Sequence, residues 1–403
     1  MNQKKQISKI LIFEPDANGH KFHYVYHLAN SLINEGKNII LITSYKNVNH
    51  KLLTKLNNEK FETIPIKQKD WFYKLFCNHR KWYIRQIFNY FYYKNLLNKF
   101  LNDSDIKKIF IPYLDNIIYG IGIFGDPFKR YQWSGVVMSL STGYQECRIV
   151  INTRIRFQFL KNFLLIRALK LKKEIFCIQE PPVKFIKNYY PNLIKYFKYV
   201  PDPIFSWNNN KTEMNINLDL TKKYILVYGE ISLRKGVEHL LNLFSKSRFN
   251  DDIILILAGK HRSDMTKLMS SLKIKKLVNL KKLIIINRFI NYEEEEYLFR
   301  SSYIVWIAYK NFYLSSGVLY LAAQAGKPVV GSNQGIIHYK LEKYNIGISI
   351  NLNNFTYEDL KELFENKDYY VSCSKNIAKL ADSHNEKKFI KPITNSLINN
   401  NML

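Results

Sequence analysis

Two segments in the second half of the chain carry residues suited to holding a phosphate. The first is Tyr228-Gly229-Glu230-Ile231-Ser232-Leu233-Arg234-Lys235-Gly236-Val237, which runs from an expected strand end into an expected helix start. Gly229 and Gly236 allow close backbone approach, Arg234 and Lys235 are positive, and the helix amino terminus adds free N–H groups and its dipole. Together these groups suit a diphosphate, and a solvated loop with two surface cations is the plainer alternative. The second is Tyr313-Leu314-Ser315-Ser316-Gly317-Val318-Leu319, another strand-to-helix loop. Small residues leave room for a ligand against backbone amides, although helix capping by Ser315 or Ser316 would explain both serines equally well. Two such loops on neighbouring strand–helix units tilt the reading towards one anion site, and Arg288 is grouped with it on the donor side.

The elements that must position these loops form an alternating pattern. Short apolar strands and helical stretches succeed one another, which implies βα units and parallel sheets. In the first half strands are expected at Ile10–Phe13, Ile39–Thr43, Ile109–Pro112, Val136–Met138 and Ile175–Ile178, with a helix near Tyr24–Asn34. Val200-Pro201-Asp202-Pro203 interrupts the rhythm, because proline is rejected by helix interiors and central strands. Beyond it, strands are expected at Tyr224–Tyr228, Ile253–Ala258, Leu283–Ile286, Tyr303–Ala308, Pro328–Gly331 and Ile348–Ile350. Helices fit at Val237–Ser245, Asp264–Leu280, Glu293–Arg300, Gly317–Ala325 and His338–Tyr344, and two or three polar helices follow Tyr357. The expected fold class is α/β: two tandem Rossmann-like, doubly wound domains, residues 1–200 and 201–385, facing across a cleft, with a tail at 386–403. Ligands of open α/β sheets bind at the carboxyl ends of the strands, where both loops arise.

The run Ser316-Gly317-Val318-Leu319-Tyr320-Leu321-Ala322-Ala323-Gln324-Ala325-Gly326-Lys327-Pro328-Val329-Val330 resembles the donor-site helix of the family 4 glycosyltransferases (group 1) and their GT-B relatives. Arg234-Lys235-Gly236, Leu257-Ala258-Gly259, Asn333-Gln334-Gly335 and the Val-Pro-Asp-Pro at 200–203 fall in family order. The resemblance covers nearly the whole second half. Over the first half it rests on Gly19-His20 and the strand pattern. It implies a nucleotide-sugar donor bound by the second half, an acceptor bound by the first, retention of anomeric configuration, and no metal cofactor. By that resemblance the first half, with Gly19 and His20, binds the acceptor; Asp115, just past Ile109–Pro112, and Glu180, just past Ile175–Ile178, also sit at strand carboxyl ends and are candidates for the same side. His20 lies in the loop after the first strand and could orient or deprotonate an acceptor hydroxyl; a loop histidine without a chemical role is the alternative. The chain also departs from the pattern. The family usually carries two glutamates before the glycine, and counting back from Gly326 puts Tyr313 and Leu321 in their places. Glu230 stands where an arginine usually follows the first glycine, so Arg234 is the substitute cation.

Composition bounds the partners. Lys and Arg exceed Asp and Glu by 28, and residues 1–200 alone hold a net +20. An A/T-rich coding bias would enrich both halves alike, so an anionic partner facing the first half is expected, either lipid headgroups or nucleic acid. Within Lys67–Phe100, Phe72, Phe76, Tyr83, Ile87 and Tyr90 fall together at about 100° per residue, with Lys74, Lys81, Arg85 and Lys99 opposite and Trp71 and Trp82 nearby. A sheet-packing helix with a basic outer face would give the same pattern. Basic stretches at Arg154–Lys173 and Lys184–Lys198 favour the membrane. Cys77, Cys147, Cys177 and Cys373 are scattered, which sets aside zinc and disulfide frameworks. The apolar run at the amino terminus stops at Glu14, as a buried strand does and a signal core does not. The expectation is a cytoplasmic protein, peripheral on the inner face of the cell membrane, whose partners are a nucleotide sugar, a glycan or lipid-linked acceptor and an anionic lipid surface. Nucleic acid is not expected, because no recognised module or ordered aromatic platform is present. A nucleotide-sugar epimerase would need carboxylates that the second-half loops lack, and a non-catalytic GT-B subunit is the rival that Tyr313 and Leu321 motivate.

Overall fold

The computed structural model describes residues 9–15, 21–56, 58–67, 81–100, 105–144, 157–205, 207, 215–246 and 249–399. Gly19, His20, Trp71, Phe72, Lys74 and Phe76 lie outside the described residues. The chain divides into two compact units. The first contains Asn152–Asp202 with the residues up to Glu146 and from Glu386 onward, and the second contains Pro203–Asn385.

In the first unit the strands are β1 (Lys9–Glu14), β2 (Asn38–Ser44), β3 (Phe61–Ile66), β4 (Ile106–Ile111), β5 (Gln132–Val137), β6 (Glu174–Cys177) and β7 (Phe197–Tyr199). They form one parallel sheet in the order β3-β2-β1-β4-β5-β6-β7. The central strands read as continuous branched runs, KILIFE and NIILITS, because helices cover both faces of a parallel sheet. The helices are α1 (Lys21–Asn34), α2 (Lys51–Thr54), α3 (Trp82–Phe100), α4 (Ile118–Phe124), α5 (Gln158–Leu169) and α6 (Glu180–Tyr189). Tyr90, Tyr93 and Leu97 of α3 and Leu165 and Leu169 of α5 share a core with Leu11, Phe13, Ile40 and Ile42 of the sheet. The buried side of α3 is therefore Gln86, Asn89, Tyr90, Tyr93 and Leu97, rotated from the stripe expected, and Tyr83 is exposed. The cause is Gln86. Its amide oxygen accepts from the Tyr119 and Gly120 N–H groups at 2.9 and 3.2 Å, and its amide nitrogen donates to the Asp115 carbonyl at 2.5 Å. A buried glutamine thereby satisfies the free donors at the start of α4.

The second unit holds β8 (Lys223–Tyr228), β9 (Ile253–Ala258), β10 (Leu283–Ile286), β11 (Ser302–Ile307), β12 (Val329–Ser332) and β13 (Gly347–Ile350), parallel in the order β10-β9-β8-β11-β12-β13. Its helices are α7 (Val237–Lys246), α8 (Thr266–Met269), α9 (Leu272–Asn279), α10 (Tyr292–Ser301), α11 (Gly317–Gln324), α12 (Gly335–Tyr344), α13 (Glu358–Glu365) and α14 (Lys367–Ser383). Asn291 and Glu294 make a reciprocal capping box that starts α10, and the Asn366 side chain caps α14. The last helix, α15 (Glu386–Ile398), belongs to the first unit, where Phe389 packs edge-on to Tyr24 and Lys108 donates to the carbonyls of Ser396 and Asn399 at 2.9 and 2.8 Å.

In each sheet the strand order reverses once beside its first strand, between β1 and β4 and between β8 and β11. Such switch points open a crevice at the carboxyl ends of the two strands. Both phosphate-suited loops leave the second of them.

Candidate functional site

Adjacent strands β8 and β11 deliver the two loops side by side. From β8 the chain passes Tyr228 into Gly229 at φ +91°, a conformation that L side chains rarely adopt. The neighbouring β9 loop packs directly against it, since a Cβ on Gly259 would lie 2.0 Å from the Gly229 carbonyl oxygen. A single 3-10 turn, Leu233–Lys235, ends at Gly236 in the left-handed region, where a Cβ would stand 2.6 Å from the Ala308 carbonyl oxygen. That near-contact presses the β8 loop onto the end of β11. Two hydrogen bonds hold it there: the Lys310 N–H donates to the Arg234 carbonyl at 2.7 Å, and the buried Trp306 indole donates to the Lys235 carbonyl at 2.9 Å.

The side chains converge in the same place. Lys235 is buried, its ammonium donates to the Tyr228 carbonyl and stands 5.5 Å from the Tyr309 ring centroid. The exposed Arg234 guanidinium lies 5.4 Å from the Tyr309 centroid and 5.0 Å from that of Phe312. Tyr309 in turn links these cations to the second loop, its hydroxyl 3.2 Å from the Ser316 hydroxyl. Burial pushes the Tyr309 phenol up to about 12, so it stays protonated at neutral pH. Ser316 occupies the cap position of α11 but makes no side-chain cap bond, and Ser315 donates to the Tyr320 hydroxyl at 3.3 Å. Capping thus explains neither serine. A Cβ on Gly317 would meet nothing among the described residues within 4 Å, so the first turn of α11 is open to them. Five of the donor-side residues expected from sequence, Gly229, Arg234, Lys235, Gly236 and Ser316, are joined by contacts, and Gly317 adjoins them in the chain. Chemically they offer two cations, a phenol, and the positive end of a helix.

Burial, reinforced by the charge of Arg234 and opposed by Glu230, lowers the Lys235 ammonium to about 8. The cation is present below that value and lost above it, so affinity for a nucleoside diphosphate should fall as pH rises from about 7 to about 9. Calorimetric titration across that range checks it; in a Lys235→Gln variant the slope should disappear, and an unchanged slope would assign the titration elsewhere.

The other expected residues have partners of their own. Arg288 is engaged by Glu294, a buried carboxylate it meets through both guanidinium nitrogens at 2.6 Å, which supports the start of α10. Asp115 accepts from the Met138 and Ser139 N–H groups at 2.7 and 2.6 Å, tying the end of β4 to the end of β5. Glu180 is the first residue of α6, where its charge complements the helix dipole. Tyr313 contributes backbone: its carbonyl accepts from Ile336 at 2.9 Å, and a Cβ on Gly335 would lie 2.4 Å from the Tyr313 Cα. Leu321 packs against the apolar core of the second unit, an environment that disfavours a carboxylate.

Two residues escaped sequence reading. His261, past the end of β9, has a buried Nε2 without a hydrogen-bond partner among the described residues, and its backbone N–H donates to the Asn287 side chain at 2.9 Å. Burial lowers its pKa. Glu295 accepts from the Tyr228 hydroxyl at 2.5 Å and from the Trp207 indole at 3.1 Å, with its pKa raised by burial. It fixes the residue whose carbonyl holds Lys235. The sequence sign for His261 is its place after Leu-Ala-Gly at 257–259; Glu295 is hidden in a run of four glutamates.

Residues 209–377 match the family model described as glycosyl transferases group 1. No curated protein matches the chain in sequence. Among solved structures, sucrose-phosphate synthase (tll1590) from Thermosynechococcus elongatus aligns with a TM-score of 0.61 at 14% identity, covering 97% of this chain and 98% of that one. WaaG, a glycosyltransferase involved in lipopolysaccharide biosynthesis, aligns at 0.57 and 13%, covering 97% and 100%. Anabaena Alr3699/HepE in complex with UDP aligns at 0.60 and 11%, covering 97% and 99%. At these identities the likeness carries the fold. Matched segment and shared architecture agree: the chain has the GT-B fold, and its match to the glycosyl transferases group 1 model falls within the second unit.

Proposed function

We propose that this chain is a glycosyltransferase that moves a sugar from a nucleotide-sugar donor to a glycan or lipid-linked acceptor. The setting is bacterial surface polysaccharide or glycoconjugate biosynthesis, at the inner face of the cell membrane. One observation carries the reading: a buried lysine, a stacked arginine and an open helix amino terminus meet at the switch point of the second sheet. These groups suit the diphosphate that a nucleotide sugar carries and sheds as leaving group. In this reading Lys235, Arg234 and α11 neutralise the developing charge, and no metal is assigned that task. The family reading brings retention of anomeric configuration with it. Support comes from neighbours described as bound to UDP, to UDP and glucose, and to UDP-glucose, and from one described as acting in lipopolysaccharide biosynthesis. No described helix is long and apolar enough to cross a membrane, which accords with peripheral attachment.

Transfer of labelled sugar from nucleotide donors into a membrane extract tests the reading. The parent should label an acceptor, and His20→Ala should lower turnover far more than donor affinity, because His20 belongs to the acceptor side. Failure of every donor to label, despite tight donor binding, would favour a non-catalytic subunit, the alternative that Tyr313 and Leu321 motivate.

A further inference from the structure

The membrane reading above rested on a basic amphipathic helix around α3, yet α3 spends its apolar side on the sheet. Tyr90, Tyr93 and Leu97 are buried in the core of the first unit. Cations alone give weak attachment, so apolar contact with lipid has to come from other side chains. The neighbouring helix α5 supplies them. Phe159 is 83% exposed and Phe163 47%, and Leu160 beside them is exposed as well. Phe159, Phe163 and Arg167 follow one another at four-residue spacing, so they line a single side of the helix. The opposite side, with Leu164, Leu165, Ala168 and Leu169, is buried. Such a row of exposed apolar side chains marks an interaction surface.

Charge indicates which surface it meets. From Cys147 to Lys173 the chain holds eight Lys and Arg and no Asp or Glu. Arg167 lies on this row itself, its guanidinium 5.8 Å from the Phe163 ring centroid, and the exposed Lys170 falls on the same side of the helix. Long basic side chains that cover apolar rings while carrying their charge outward match the boundary between acyl chains and anionic headgroups. The support is rigid. A Cβ on Gly122 of α4 would lie 2.2 Å from the Leu164 carbonyl oxygen, so α4 and α5 touch backbone to backbone. On the far side of α4, Phe124 meets Phe91 of α3 at 5.0 Å, and both are exposed.

We propose that the outer side of α5 is the lipid-inserting surface of this protein, with Phe159, Leu160 and Phe163 entering the headgroup layer of an anionic bilayer and Arg167 and Lys170 pairing with its phosphates. The inference rests on the membrane reading and adds to it the place of insertion. Burying an aromatic side chain contributes roughly tenfold or more to partitioning. The double variant Phe159→Ser, Phe163→Ser should therefore bind vesicles of phosphatidylcholine and phosphatidylglycerol about a hundredfold more weakly than the parent. Its melting temperature and nucleotide affinity should not change, because both side chains point to solvent. Arg167→Glu with Lys170→Glu should abolish the preference for phosphatidylglycerol over phosphatidylcholine alone. Sedimentation with vesicles across a salt series, with RNA present as competitor, reads all of these. A parent that ignores both vesicle types, or leaves them for RNA, overturns the membrane reading itself. A parent that binds vesicles while the phenylalanine variant binds equally well overturns the assignment to α5 and leaves membrane attachment standing. Loss of self-association in that variant, with vesicle binding intact, would make the surface a contact between copies and overturn the proposal too.

Discussion

The Lys235→Ala variant is expected to bind nucleoside diphosphates roughly tenfold or more weakly than the parent. A hydrogen bond to a charged group contributes about 1.5–3 kcal/mol, and a tenfold change in affinity corresponds to about 1.4 kcal/mol. Lys235 is placed to make such a bond. The side chain is buried, and its ammonium stands over the Tyr309 ring and is anchored on the Tyr228 carbonyl beside Gly229, where the absence of a side chain leaves access. Removing the side chain also leaves that carbonyl without its partner and opens a small void, so stability should fall by about 1–3 kcal/mol. Lys235→Met separates the two effects, since it restores the packing volume without the charge. If binding follows the charge, both variants lose affinity alike while only the alanine variant loses much stability. Full affinity in the methionine variant would remove Lys235 from the site.

Gly317→Leu should have the larger effect on binding and the smaller one on folding. Gly317 opens α11, its φ is not in the left-handed region, and a Cβ there meets nothing among the described residues within 4 Å. Leucine is the better helix former by roughly 0.5–1 kcal/mol, so the melting temperature should hold or rise. The same side chain would fill the space in front of the helix amides and displace any phosphate seated there, lowering affinity by about a hundredfold or more. Gly236→Ala makes the contrast, because its Cβ would press on the Ala308 carbonyl oxygen in a left-handed backbone. That change should unseat the loop and cost stability as well as binding. Calorimetry paired with thermal melting distinguishes the two glycines. A Gly317→Leu protein that folds and binds diphosphate like the parent would show that the open space at α11 is not where the ligand sits.

Much of the second unit was legible because its strands read as apolar runs, most of them buried on both sides, bounded by polar or glycine-rich loops. Ile253–Ala258 and Leu283–Ile286 coincide with β9 and β10. The strands that escaped are both at sheet edges. β3 contains Glu62, Thr63 and Pro65 and is largely half-buried, and β7 has only three residues, so neither shows an apolar run. The single helix expected over Asp264–Leu280 is broken into α8 and α9. There Ser270 and Ser271 turn their hydroxyls back onto the carbonyls of Lys267 and Leu268, at 3.1 and 2.7 Å, in competition with the helix. At the site, the sequence placed the two loops and their cations, since their types and positions after strands carry that chemistry directly. It could not separate Arg288 from them, because the engagement of Arg288 by Glu294 is a matter of tertiary placement. Asp115 is a similar case: its carboxylate accepts from the Met138 and Ser139 N–H groups beyond the neighbouring strand, a placement that the sequence does not display. The rotation of α3 likewise depended on Gln86, a polar residue that periodicity assigns to solvent and that instead supports α4.

The most direct measurement is the thermal shift of the parent and of Lys235→Met across a panel of nucleotide sugars and their nucleoside diphosphates. Ligand at a hundred times its Kd stabilises a protein by about 2.7 kcal/mol, a displacement that melting resolves easily. A nucleotide-sugar enzyme with its donor at the β8–β11 switch point should show one nucleotide series that raises the melting temperature of the parent and leaves that of Lys235→Met nearly unmoved. A parent indifferent to the whole panel, or a variant stabilised as strongly as the parent, would contradict it.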